Sequence, residues 1–191
     1  MLDRLTLALR ISRSKVILRR YFITNGFDGV LTMLGLLVGF RVSGSVDIDI
    51  LLVSGLGTAI ALAVSGVSSA YISESAERKH ELDKLRDAMM DRLEGSAHEE
   101  AATIVPVMVA LVNGLSPFIF AMLILAPLWP ASSNNMAIVA SPVDLSIGIA
   151  MVMAFLLGIY IGRLSGTFWL WAGLRSSLLA IAIIFLILLF N

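Results

Sequence analysis

The chain has 191 residues, 58% of them hydrophobic and only 15% charged, with a mean hydropathy of +0.92. Soluble domains carry roughly a quarter charged residues, so this composition excludes an ordinary soluble domain and points to an all-α integral membrane protein. Its 14 basic and 14 acidic side chains cancel, which removes any global electrostatic case for nucleic acid, and the absence of cysteine excludes disulfides, thiolate metal sites and cysteine nucleophiles.

Residues 1–21 read as a basic amphipathic helix. Leu5, Leu9 and Val16 alternate with Arg10, Arg13, Lys15, Arg19 and Arg20, a pattern that lies on an anionic membrane surface. No small-residue cleavage site follows a short apolar core, so no cleavable signal is expected here. Five membrane spans follow, expected near 22–40, 48–72, 104–128, 144–162 and 168–190 from the roughly 20-residue length a bilayer demands. The segments therefore divide into the first two spans (22–72), an acidic helical linker (73–103) and the last three spans (104–191).

The first span carries a single acid, Asp28, well inside its apolar run. A carboxylate near the centre of a membrane helix costs about 2.5–3.5 kcal/mol on insertion scales, so it needs a partner, a cavity or an ion path. At 100° per residue, Asn25, Thr32, Gly35 and Gly39 fall within about 60° of Asp28. The charged face is thus also the small, polar face, and Gly35-x-x-x-Gly39 suits close approach of another helix. The second span repeats the theme, with Ser54, Thr58, Ala61, Ser65 and Ser68 on one face. Two such faces can pack on each other or line a narrow wet path, although serines of this kind also serve simply to join helices.

The linker between spans two and three reads as a helix continuing the second span into the cytoplasm. Gly95 is expected to stop it, and Ser96-x-x-Glu99 to cap the next helix. It holds nine acids, of which Glu74, Glu77 and Glu81 share roughly one side. Clustered carboxylates can hold hard or borderline divalent cations, and a solvated charged face is the plainer alternative. The third span contains Pro106 and Pro117, with Pro127 at its end. Pro117 has no N–H to give the carbonyl of Asn113, which leaves that carbonyl for an ion or for a packing kink. The last two spans carry Gly158-x-x-x-Gly162-x-x-x-Gly166 and no mid-membrane acid, and read as scaffold.

Charge asymmetry sets the expected topology. All but one of the 14 Lys and Arg residues fall on the N-terminal side of a five-span plan, with Arg41 alone opposite. A multi-pass cell-membrane protein with a cytoplasmic N-terminus and an external C-terminus satisfies the positive-inside rule. Trp129, Trp169 and Trp171 fall at span ends, where aromatic belts form. No hydrolase, zinc-protease, P-loop or dinucleotide motif occurs, and an enzyme is not expected.

Four stretches resemble the vacuolar iron transporter family: FDGVLTMLGLLVG in the first span, AYIS (70–73) at the end of the second, NGLSPFIFAMLILAPLWP in the third, and GRLSGTFWLWAGLRSSLLAIAI across the last connection. They occur in the family's order over most of residues 20–190. The resemblance implies a homodimer in a lipid bilayer, with an ion path between subunits lined by the first two helices. It also implies exchange of iron or manganese, as Fe2+ or Mn2+, for protons, with no permanently bound cofactor. Asp28 matches the family's first-helix metal and proton site. The family's second-helix Met and Glu are replaced here by Gly66 and Ala70. The expected ion path comprises Asp28, Asn25, Thr32, Ser65, Ser69, Tyr71 and Asn113, with Asp28, Glu74 and Glu77 as candidate metal ligands. The alternative expectation is a non-transporting membrane protein of the same fold that uses its acidic cytoplasmic helix as an interaction surface.

Overall fold

A computed structural model describes residues 14–44, 47–89, 97–132 and 141–190. The described residues are all-helical: α1 (Ser14–Val42), α2 (Ile48–Met89), α3 (Ala97–Leu125), the short α4 (Leu128–Ser132), α5 (Pro142–Ser165) and α6 (Trp169–Leu189). Five of these, all but α4, are long and apolar enough to cross a membrane. The greater part of the expected basic leader, residues 1–13, the expected helix stop at Gly95 and the cap at Ser96 lie outside the described residues. Residues 14–20 belong to α1 itself, which runs without a break into the first span.

Local chemistry explains the helix ends. Asp47 Oδ1 accepts hydrogen bonds from the backbone N–H groups of Asp49 (3.0 Å) and Ile50 (3.2 Å), so Asp47 caps α2. Replacing it with alanine is expected to lower stability by about 1 kcal/mol, measurable as an earlier thermal transition in detergent, with Asp47→Asn close to the parent. Pro142 opens α5, where its missing N–H has no intrahelical partner to lose. Gly166 closes α5 at φ +69°, a left-handed conformation that glycine adopts without strain. Arg41, at the end of α1, pairs with Asp144, at the start of α5, at 2.9 Å. Both side chains are about half exposed, so this tie is worth at most about 1 kcal/mol.

α2 is 42 residues long. At 1.5 Å per residue it reaches about 63 Å, twice the roughly 30 Å hydrocarbon core of a bilayer. Its second half is therefore a helical extension, continuous with the span.

The bundle is arranged around α1 and α3. α2 packs chiefly on α3, α5 packs chiefly on α6, and α1 joins the two pairs by packing on α3, α5 and α6. α1 and α2, whose small polar faces could have met, touch each other only sparingly because α3 serves both. Two apolar clusters result. The larger takes Val30, Met33, Leu34 and Leu37 of α1 with Leu51 and Ala59 of α2, Ile124 and Leu125 of α3, and Ala150 and Ala154 of α5. The smaller, toward the other end of α1, takes Ala70, Ala101, Val105, Val109 and Ala110, with Ile17, Leu18 and Tyr21 against them.

Glycine permits the close crossings. A Cβ on Gly114 would lie 2.4 Å from the Ala63 carbonyl oxygen, and one on Gly66 would lie 3.0 Å from Gly114 Cα. Gly29 meets Pro117 in the same way, at 2.7 Å from its Cα. The packing signature of α5 is used within the chain: Gly158 lies against Ser176 and Gly162 against Ala172, both on α6. That of α1 is not. Gly35 has only Ile183 in ordinary contact, and Gly39 has nothing within 4 Å. Large apolar side chains such as Val53, Val64 and Ile72 on α2 and Phe185 and Leu189 on α6 are exposed, as lipid-facing residues are.

Candidate functional site

Asp28 stands at the midpoint of α1, about 21 Å from either end at 1.5 Å per residue. Its neighbour Gly29 is buried against Pro117, and the 100° turn between them sends Asp28 away from α3. The carboxylate is exposed on the surface of the single chain and has no hydrogen bond or ion pair among the described residues. Thr32, one turn on, is exposed beside it, and Asn25, one turn back, is half-buried.

Asn25 is the inner edge of a polar layer between the two apolar clusters. Its side-chain nitrogen donates to the Tyr21 carbonyl at 3.1 Å and to Asn113 Oδ1. Asn113, buried in α3, donates in turn from Nδ2 to the Gly66 carbonyl of α2 at 2.7 Å. One chain of amides thus ties α1 to α3 and α3 to α2. Ser116, fully buried, adds a second link by donating to the Phe22 carbonyl at 2.5 Å. Each polar side chain in this apolar setting has its partner, as burial requires. The Asn113 backbone carbonyl is turned to α2: its oxygen lies 3.1 Å from where a Cβ on Gly66 would be.

This bonding fixes what the surface presents around Asp28. Both Asn25 N–H groups point to carbonyl oxygens, and the Thr32 hydroxyl donates to the Asp28 backbone carbonyl at 2.7 Å. Asn25, Asp28 and Thr32 consequently offer this face oxygen acceptors: Asn25 Oδ1, the carboxylate and the remaining lone pairs of Thr32; the exposed Thr24, one turn before Asp28, adds a hydroxyl. Asp28 and Thr32 were legible from helical spacing. The partnership of Asn25 with Asn113, 88 residues apart, was not.

The second-helix residues divide. Ser65, Ser69 and Tyr71 are exposed, and Ser69 Oγ donates only a long 3.4 Å bond to the Gly66 carbonyl. Gly66 and Ala70 are turned toward α3: Gly66 packs on Gly114, and Ala70 is buried in the smaller apolar cluster.

The acids of the α2 extension also divide. Glu74 is buried and lies 3.5 Å from the Arg78 guanidinium, which also binds Glu81 at 2.8 Å. Glu77 is exposed. Arg86 bridges Asp83 at 3.6 Å and Glu99 of α3 at 3.3 Å, fastening the extension to the start of α3. Among the described residues no three His, Asp or Glu side chains converge on one metal-sized point, so Asp28, Glu74 and Glu77 do not form a joint site within a single chain.

The chain is similar to an uncharacterized protein of Methanocaldococcus jannaschii, 28% identical over 170 residues that cover 86% of this chain and 85% of the relative. No family model matches the chain. No solved structure matches it at a significant level.

Proposed function

We propose that the chain is a transmembrane transporter for a divalent metal cation, iron or manganese, coupled to protons, with its ion path at a homodimer interface. The observation that carries this reading is the group of oxygen acceptors that Asn25, Asp28 and Thr32 present together around the Asp28 carboxylate. In a two-fold dimer the same patch meets itself. The acceptors of Asn25, Asp28 and Thr32 would then face their own copies, and no hydrogen bond can close between those three groups. A cation or a proton between the two copies removes that conflict; lipid does not. Gly39, exposed about three turns along the same face of α1, leaves room there for a second α1 to approach.

The resemblance to vacuolar iron transporters supports the same assignment for Asp28, with Asn25 and Thr32 beside it. Ser65, Ser69 and Tyr71 are exposed on α2 and available to a partner subunit. Positive charge at the N-terminal side favours a cytoplasmic N-terminus, an external C-terminus and a cytoplasmic α2 extension in the cell membrane. Glu77 there stands at the mouth as an exposed attractor for cations.

Purified protein in liposomes is expected to admit Mn2+ or Fe2+ to an enclosed metal-sensitive dye and to move protons the opposite way. A parent protein that passes neither ion under an imposed pH gradient overturns the reading. One observation favours a second reading, a non-transporting protein whose extension docks a partner. Glu74 is committed to Arg78, while Glu77, Lys79, His80, Asp83 and Lys84 are exposed along the extension.

A further inference from the structure

The polar layer does more than join helices. A backbone carbonyl can only accept a hydrogen bond, so the Gly66 carbonyl dictates which end of the Asn113 amide faces it, namely Nδ2. Asn113 Oδ1 is then left facing Asn25, and it too can only accept. Asn25 must answer with its NH2 group, and the Tyr21 carbonyl takes the other N–H of that group. Asn25 Oδ1 is then the end of the amide left without one of these bonds, on the residue three before Asp28 in the same helix. The orientation is set two residues away, by an acceptor on a different helix.

We propose that Asn113 is a positioning residue that locks the Asn25 amide with its oxygen outward, so that Asn25 Oδ1 and the Asp28 carboxylate together bind a divalent cation through oxygen alone. This rests on the cation-transport reading above. The ligand chemistry follows from the inventory: no sulfur and no imidazole stands on that face, and hard cations of the manganese class take oxygen ligands. Thr32, its hydroxyl proton held by the Asp28 backbone carbonyl, adds no donor that would repel a cation.

Two substitutions separate orientation from support. Asn113→Asp keeps an acceptor opposite Asn25 and loses the donor to Gly66. Asn113→Leu removes both and is apolar, which suits a membrane interior. In Asn113→Leu the Asn25 amide retains only its bond to Tyr21, can rotate, and can bring an N–H onto the cation face. The affinity for Mn2+, titrated on reconstituted protein by the paramagnetic resonance signal of the free ion, is expected to fall about tenfold in Asn113→Leu, the worth of one to two hydrogen bonds. It is expected to stay within about threefold of the parent in Asn113→Asp. Thermal stability should run the other way, with Asn113→Asp the less stable of the two because an acid oxygen faces the Gly66 carbonyl.

Opposed orders of affinity and stability support the proposal, since a purely structural Asn113 would make the two fall together. Asn113→Leu binding Mn2+ as tightly as the parent overturns it, whatever the flux. A parent that binds Mn2+ at Asp28 without passing it overturns the transport reading and leaves this inference standing. A parent that binds no Mn2+ overturns both.

Discussion

Gly66→Met is expected to break the bundle, although methionine is what the resemblance noted from the sequence would put at this place. A Cβ on Gly66 would lie 3.0 Å from Gly114 Cα, 3.1 Å from the Asn113 carbonyl oxygen and 3.3 Å from its carbon. All three are backbone atoms of α3, which cannot swing aside as the tip of a side chain can. The remaining three heavy atoms of methionine have to push α2 and α3 apart, and this is the most extensive helix contact in the molecule. Overpacking a tight site costs about 1–3 kcal/mol. Here the displacement also stretches the 2.7 Å bond from Asn113 to the Gly66 carbonyl and leaves a buried amide without its acceptor, a further 1–3 kcal/mol or so. The total, roughly 2–6 kcal/mol, is a large part of the stability of a domain. Thermal melts and size-exclusion profiles in detergent should show a lower transition and aggregation, with Gly66→Ala intermediate. If Gly66→Met instead melts with the parent and improves metal uptake, α2 and α3 do not cross here as described.

That result bears on how a missing ligand is read. From the sequence, Gly66 and Ala70 are simply the absence of a thioether and a carboxylate. In the fold they are positive requirements of another contact, the α2–α3 crossing and the apolar cluster around Val105 and Val109. A chain with this crossing has no room for a methionine or glutamate ligand at these two places on α2. On the transport reading, further ligands beside Asp28 are to be sought on α1, in the polar layer behind it or on a second subunit.

The five long helices were legible because the bilayer imposes a length and a hydropathy that few other environments demand. The face of α1 was legible because Asn25, Asp28, Thr32 and the two glycines keep helical spacing. Spacing does not tell whether such a face meets a neighbour in the same chain or points outward. Gly158 and Gly162 pack tightly on α6, whereas Gly35 has only the loose contact with Ile183 and Gly39 is open among the described residues. The amide chain was also hidden, since Asn25, Gly66 and Asn113 are far apart in sequence and none is unusual alone. The inward turn of Glu74 was hidden for another reason. Three glutamates on one side of a helix look equivalent until the packing of α2 against its neighbours buries one and leaves Glu77 exposed.

Asp28→Asn is expected to cut divalent-cation flux about 100-fold and, in the same protein, to raise thermal stability. The two signs have one cause. On insertion scales a carboxylate midway along a membrane helix costs about 2.5–3.5 kcal/mol, and Asp28 has no partner among the described residues to offset it within the chain. An amide of the same shape carries no charge and relieves part of that cost wherever the carboxylate is desolvated by subunit packing, so the melting temperature is expected to rise. The same change removes the only charge on the acceptor face and adds an NH2 group, which repels a cation and gives a neighbouring copy a donor to bind. A loss of about 2.7 kcal/mol in cation stabilisation corresponds to the 100-fold fall. Asp28→Glu keeps the charge one methylene further out and should retain a measurable fraction of the flux. A functional acid and a structural acid therefore predict opposite outcomes. If Asp28 served only to hold subunits together, Asp28→Asn would lower dimer stability and leave flux untouched. Melting curves and Mn2+ uptake measured on the same preparations of parent, Asp28→Asn and Asp28→Glu decide between them, because flux and stability must move in opposite directions if the cost of Asp28 is the source of its use.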